Sequence, residues 1–186
     1  MHRAVVILGS NIDKEQNLPA AVEMLAGLVG VIDVSSVYET APEGLLEQPH
    51  FFNAAVLLQT DLTPAQLKDG PLSEIERRLG RRRSADKNAP RTIDLDIVLF
   101  DDEVTTYTPA DGRVRHLPDA DLLRFAHCAL PVADLLPNTL HPQTGESLRS
   151  IAARLLSAAT IERGDAIRPR LDIDLRRSLP GMRAME

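Results

Sequence analysis

VIDVSSVYET-APEGLLEQPH-FFNAAVLLQT, residues 31–60, decides the fold. Val31–Thr40 and Phe51–Thr60 are rich in β-branched and aliphatic residues and read as strands. The segment between them carries Pro42, Gly44 and Pro49 and reads as a loop. Two strands therefore follow one another with no helix between. Upstream, Ala4–Leu8 is a short apolar run expected to be a buried strand, ended by Gly9-Ser10-Asn11. Asn17 is placed to cap a helix in which Leu18, Ala21, Val22, Leu25, Leu28 and Val29 fall at helical spacing, with Gly30 to close it. Downstream, Thr63-Pro64-Ala65-Gln66 is a capping box with proline at the first helical position. Gly70-Pro71 interrupts that helix, and Leu72, Ile75 and Leu79 resume it. Thr92–Phe100 is the next strand and Ser147–Ala159 a final amphipathic helix. The order β-α-β-β-α-β predicts an α+β sandwich of ferredoxin-like type: an antiparallel sheet flanked by helices, packed on one face. Residues 1–160 read as one domain. Residues 161–186, Arg-rich and without clear period, read as a tail or docking arm.

The chain has 186 residues, 44% hydrophobic and 26% charged, which fits one folded domain and excludes wholesale disorder. Four Phe, two Tyr and no Trp require an aliphatic core. The net charge of −6 excludes a global basic field for nucleic acid. The single cysteine, Cys128, excludes an internal disulfide framework and a thiolate zinc cluster. No apolar run approaches membrane-spanning length and no leader is visible, so a soluble, cytoplasmic protein is expected.

The sharpest chemical feature is Pro90-Arg91-Thr92-Ile93-Asp94-Leu95-Asp96-Ile97. On a strand, Asp94 and Asp96 share one face while Ile93, Leu95 and Ile97 point into a core. Paired carboxylates repel unless a cation joins them, and hard oxygen ligands of this kind suit Mg²⁺. The alternative is an edge strand with two solvated acids. The basic block shifts the balance toward the metal, with a solvated basic face as its own alternative: Arg77, Arg78, Arg81, Arg82, Arg83, Lys87 and Arg91 lie just before the acidic strand. Guanidinium forks match phosphate oxygens, and metal-holding carboxylates beside arginines are the parts of phosphoryl transfer. RNA is disfavoured because no aromatic side chains are interleaved with the block. No G-x-x-x-x-G-K-[ST] occurs, so a nucleotide would not sit on a P-loop. A second region, Tyr38–Gly44 with Gln48–Asn53, places Phe51 and Asn53 on one face and Phe52 on the other. A ring and an amide so placed could stack on a heterocycle and read its edge; the alternative is two rings packed under loops. His127 and Cys128 lie in an apolar run, where a hydrogen-bonded core histidine and a small buried thiol are the simpler readings.

Taken together these segments resemble the 6-hydroxymethyl-7,8-dihydropterin pyrophosphokinases of folate biosynthesis. The matching pieces are Leu8–Asn11, Ser35–Thr40 with Gly44 and Gln48, Phe51–Val56, Ile75-Glu76 with Leu79–Arg81, and Pro90–Asp96, in the family's order over roughly residues 4–100. The resemblance implies transfer of pyrophosphate from ATP to a reduced pterin with release of AMP; these two small molecules are the expected partners, with no nucleic acid and no membrane. It implies that Asp94 and Asp96 hold two Mg²⁺, and that Arg81 and Arg91 close over the triphosphate. By the same resemblance Arg83 and Glu76 contact the nucleotide, while Thr40, Phe51 and Asn53 line the pterin pocket. The second half departs from the pattern. Asp119 follows Pro118 where the family has histidine, Arg124 stands one position from the family's arginine, Asn88 replaces a loop Trp, and the second stacking ring falls on His127 or, by a register shift, on Phe125. Those departures keep open a pyrophosphokinase for a related pterin, and a noncatalytic pterin- or nucleotide-binding regulator.

Overall fold

The computed structural model describes residues 1–42, 47–82, 89–163 and 167–179. Strand β1 (His2–Ser10) lies between β4 (Phe51–Thr60) and β5 (Asp94–Phe100), antiparallel to both. On the far side of β4 lie β2 (Gly30–Val34) and β3 (Tyr38–Thr40). These two together stand where one continuous strand was expected over 31–40. Ser35 causes the break: its N–H donates to Ala55 O (2.9 Å), while the Ala55 N–H donates to Ser35 Oγ (2.8 Å). A side chain replaces one rung of the ladder, and the strand bends there. With β2 and β3 counted as one interrupted strand, the spatial order is that of the ferredoxin-like sandwich.

Helix α1 (Lys14–Leu28) buries Leu18, Ala21, Val22 and Leu25 against the sheet, on the spacing expected. Its cap is not Asn17. Asp13 takes the N-cap position in left-handed geometry (φ 45°), and Asn17 lies a turn inside, donating from Nδ2 to Ile12 O (2.7 Å). Thr63 does form the capping box, with Gln66 at N3. Gly70-Pro71 interrupts that helix, which then resumes, as expected. α2 (Pro64–Leu67) passes through one π-helical turn (Lys68–Leu72) into α3 (Ser73–Arg78). Pro71 has no N–H to donate, and the wider turn lets the chain continue past it.

Alternation along the strands feeds two cores. Ala4, Val6, Leu8, Phe52, Val56 and Ile97 pack with α1 and the α2–α3 helix. Val5, Ala55, Leu57 and Val98 face the opposite way, toward α4 (Ala126–Leu135) and α5 (Leu148–Arg163). Helices therefore cover both faces rather than one, because the second half of the chain supplies its own apolar pair. A short hairpin, β6 (Thr105–Tyr107) and β7 (Arg115–Leu117), stands beside β5. α5 runs through Arg163, past the boundary drawn at 160. Beyond it, β8 (Arg168–Pro169) pairs with β3, and the 3-10 turn Leu175–Ser178 buries Leu175 in the α1 core. Among the described residues no helix is long and apolar enough to cross a membrane.

Candidate active site

The site opens at one end of the sheet, on the α4 face. Ile93, Leu95 and Ile97 are buried, so Asp94 and Asp96 both point into a cleft of about 380 Å³. Asp94 Oδ2 accepts from Arg91 Nη1 at 2.5 Å, and Arg81 Nε lies 3.8 Å from its other oxygen. Asp96 Oδ1 takes two cations, Lys68 Nζ and Arg115 Nη1, each at 3.1 Å. Among the described residues no hydrogen bond reaches Asp96 Oδ2. Burial alone would raise the Asp96 carboxyl; Lys68, then Arg115 and Arg91, outweigh it and hold the carboxyl below the usual range. Two carboxylates on one wall, one with an oxygen uncommitted, are a donor set that fits Mg²⁺.

Glu76 is placed differently from a residue facing a nucleotide. It is buried behind β5, where its Oε1 accepts from Leu95 N–H and Lys68 Nζ, both at 3.0 Å. Lys68 also donates to Leu95 O. The pair thus satisfies backbone groups on the free edge of β5, between the two aspartates. Arg91 is held by backbone: its N–H donates to Asn11 Oδ1 (2.8 Å), and its carbonyl accepts from the N–H groups of Asn11 and Ile12. Asn11 Nδ2 donates to Gln48 Oε1 (2.8 Å) and Pro49 O (3.2 Å). Gly9-Ser10-Asn11 therefore braces two loops at the cleft rim. Arg83 and Asn88 lie outside the described residues.

Across the cleft stand Thr40, Phe51 and Asn53. Asn53 Nδ2 donates to Thr40 Oγ1 at 2.9 Å, which ties β4 to β3, and Phe51 lies under the Arg91 guanidinium at 5.7 Å. Phe52 is fully buried on the opposite face, as the alternation requires. The third wall carries Asp119, Arg124, Phe125 and His127. Phe125 and His127 stack on each other (centroids 5.2 Å, 21°), so both stacking readings fall on one aromatic unit. Cys128, a buried free thiol, lies beneath them, and burial pushes it well above its ordinary pKa. The Asp119 carboxyl is likewise raised, first by burial and then by Asp121 and Asp96, against an N–H donated by Asp121.

Three of these residues escape a reading of the sequence: Lys68, Arg115 and Asn11 as a brace. Lys68 stands 28 positions from Asp96 and Arg115 stands 19, and no local pattern marks either. The one available signal for Lys68 is Gly70-Pro71, which forces the wide turn on which it sits.

Residues 5–137 match the family model described as 7,8-dihydro-6-hydroxymethylpterin-pyrophosphokinase (HPPK). The 2-amino-4-hydroxy-6-hydroxymethyldihydropteridine pyrophosphokinase of Methylorubrum extorquens is 38% identical over 158 residues, covering 83% of this chain and 94% of that protein. The namesake protein of Bacillus subtilis is 46% identical over 103 residues, 54% of this chain and 60% of its own. Folic acid synthesis protein fol1 of Schizosaccharomyces pombe is 35% identical over 157 residues, 83% of this chain, but the match spans only 20% of that longer protein. The fold also matches the crystal structure of wild-type Plasmodium falciparum HPPK-DHPS, with a TM-score of 0.71 at 14% identity, over 88% of this chain and 42% of that one. The match over residues 5–137, on a sheet that sets Asp94 against Arg81 and Arg91 and Asp96 against Arg115, shows that this chain belongs to the 7,8-dihydro-6-hydroxymethylpterin-pyrophosphokinase family.

Proposed function

We propose that the protein transfers pyrophosphate from ATP to the hydroxymethyl group of 6-hydroxymethyl-7,8-dihydropterin and releases AMP. The observation that carries this reading is a single cleft in which Asp94 and Asp96, with Arg91 on Asp94, adjoin the Thr40–Phe51–Asn53 wall. Asp94 and Asp96 would hold two Mg²⁺, which when bound neutralise charge on the triphosphate. Arg81 and Arg91 leave Asp94 for phosphate oxygens and stabilise charge that develops in the transition state. Arg83 would contact the nucleotide, while Glu76, buried behind β5, supports the strand that carries both aspartates. Phe51 stacks on the pterin while Thr40 and Asn53 meet its edge, with His127 or Phe125 closing the other side. The pterin oxygen attacks the β-phosphorus in line: the new O–P bond forms, the α–β bridge breaks toward AMP, and the hydroxyl proton leaves to solvent. Positioning carries most of the rate, so no covalent nucleophile is needed.

Mixing the protein with ATP, Mg²⁺ and the reduced pterin tests this. AMP and pterin diphosphate should appear in equal amounts. ADP in place of AMP, or neither product, would overturn the assignment and leave a nucleotide- or pterin-binding regulator. Asp96→Ala should lower the rate at least about 100-fold with little change in pterin affinity. A related pterin as substrate is the second reading, favoured by the altered wall of Asp119, Arg124 and His127; a panel of reduced pterins assayed by AMP release separates the two.

A further inference from the structure

Lys68 is only 2% exposed, and its ammonium has three donors for which the structure provides three acceptors: Glu76 Oε1, Leu95 O and Asp96 Oδ1. Three arginines also touch the aspartates, but each has side-chain exposure (Arg81 15%, Arg91 20%, Arg115 21%) and can leave for a phosphate. Lys68 cannot leave. It reaches Asp96 around the edge of β5 from the opposite face, and its side chain is 3% exposed.

We propose that Lys68, a buried counter-charge fixed on Asp96 Oδ1, makes metal binding at the two aspartates conditional on nucleotide. In the free protein both carboxylates already have cationic partners, so a divalent ion arriving alone displaces arginines and also meets a fixed positive charge a few ångström away, where like charges repel strongly. Nucleotide phosphates change that balance by drawing the arginines off and adding negative charge. The inference rests on the assignment of Asp94 and Asp96 as metal ligands made above.

The test is a Mn²⁺ titration followed by electron paramagnetic resonance, with and without a nonhydrolysable ATP analogue. In the parent, the analogue should tighten Mn²⁺ at least about 100-fold; equal affinity without it overturns the proposal. Lys68→Met should bind Mn²⁺ without nucleotide at least about tenfold more tightly than the parent. Asp96 stays placed there, because Arg115 still donates to Oδ1. Lys68→Met also takes one cation away from the buried Glu76. Lys68→Met/Glu76→Gln removes that burden, keeps an acceptor for Leu95 N–H, and should shift Mn²⁺ affinity in the same direction by a smaller factor. A folded variant of either kind with parental or weaker Mn²⁺ affinity in the absence of nucleotide sinks the proposal. Asp96→Asn separates this from failure of the metal assignment. If it leaves Mn²⁺ affinity with the analogue unchanged, the metal is not on Asp96. If it weakens Mn²⁺ while the Lys68 variants stay parental, only the role of Lys68 is wrong.

Discussion

Asn53 and Phe51 project from one face of β4, and Asn53 is tied to Thr40, so the wall proposed for the pterin is set without a ligand. Asn53→Ala removes a buried amide and leaves ligand polar groups unmatched, at about 1–3 kcal/mol of pterin binding. Phe51→Leu keeps an apolar contact and forfeits stacking worth about 1 kcal/mol. Calorimetric titration should therefore show Asn53→Ala weakening pterin at least as much as Phe51→Leu, with ATP affinity little changed in either; unchanged pterin affinity in both rejects the pocket. Asp119 adds a pH prediction. Its carboxyl is raised in the folded chain, so the native state holds that proton more tightly than the unfolded state does. The stability this gives is full below the ordinary aspartate range and is lost as pH rises through the native value. Asp119→Asn keeps an acceptor for the Asp121 N–H but does not ionise. Its Tm advantage over the parent should be absent in acid and grow toward neutral pH, as thermal melts at a series of pH values would show. At this scale the alternation of Phe51, Phe52 and Asn53 was legible because period 2 is a local rule. The choice between Phe125 and His127 was not, because their stacking on each other depends on how the chain enters α4.

Elements were legible where their signals are local. The Thr63–Gln66 box needs partners three residues apart and is present in the structure. The break at Ser35 needs Ala55, 20 residues away, and no reading of 31–40 alone could place it. The α1–β2 junction tests how far local rules go. Gly27 lies exposed in the last turn of α1, and a Cβ there would meet nothing within 4 Å. Gly27→Ala should stabilise by about 0.5–1 kcal/mol through helix propensity and a stiffer unfolded chain. Gly30, three residues on, is the opposite case: a Cβ would lie 2.9 Å from the backbone oxygen of Gln59 on β4. Gly30→Ala must push β2 off its partner and should cost about 1–3 kcal/mol. Both are glycines near a helix end, and only the sheet partner distinguishes them. Chemical denaturation of the two variants measures the contrast, and equal shifts would show that β2 yields freely.

For the molecule as a whole, the C-terminal segment, which the sequence leaves as a tail or docking arm, is the part least legible in it. Residues past 160 show no period, and a strand of two residues followed by a 3-10 turn has none to show. Yet β8 pairs with β3, Arg170 N–H donates to Val37 O (2.8 Å), and Arg170 Nη1 lies 3.1 Å from Glu39 Oε2. Glu39 is also bonded to Lys14 (3.0 Å), so this segment is coupled to β3 and α1, the elements beside Thr40. A solvated arm would contribute little to stability. A segment that covers a sheet edge and inserts a side chain into the core should behave as part of the domain. Leu175, 2% exposed among α1-face residues, decides between these. Leu175→Ala should lower stability by about 2–5 kcal/mol, the range for truncating a buried leucine. The loss should fall on the single cooperative unfolding transition, without a separate early phase. Pterin affinity of the remaining folded protein should stay near parental, since Leu175 packs on the face opposite the cleft. A loss below about 0.5 kcal/mol, or a separate low-temperature transition, would mean that residues 167–179 dock on the sheet without being part of its folding unit.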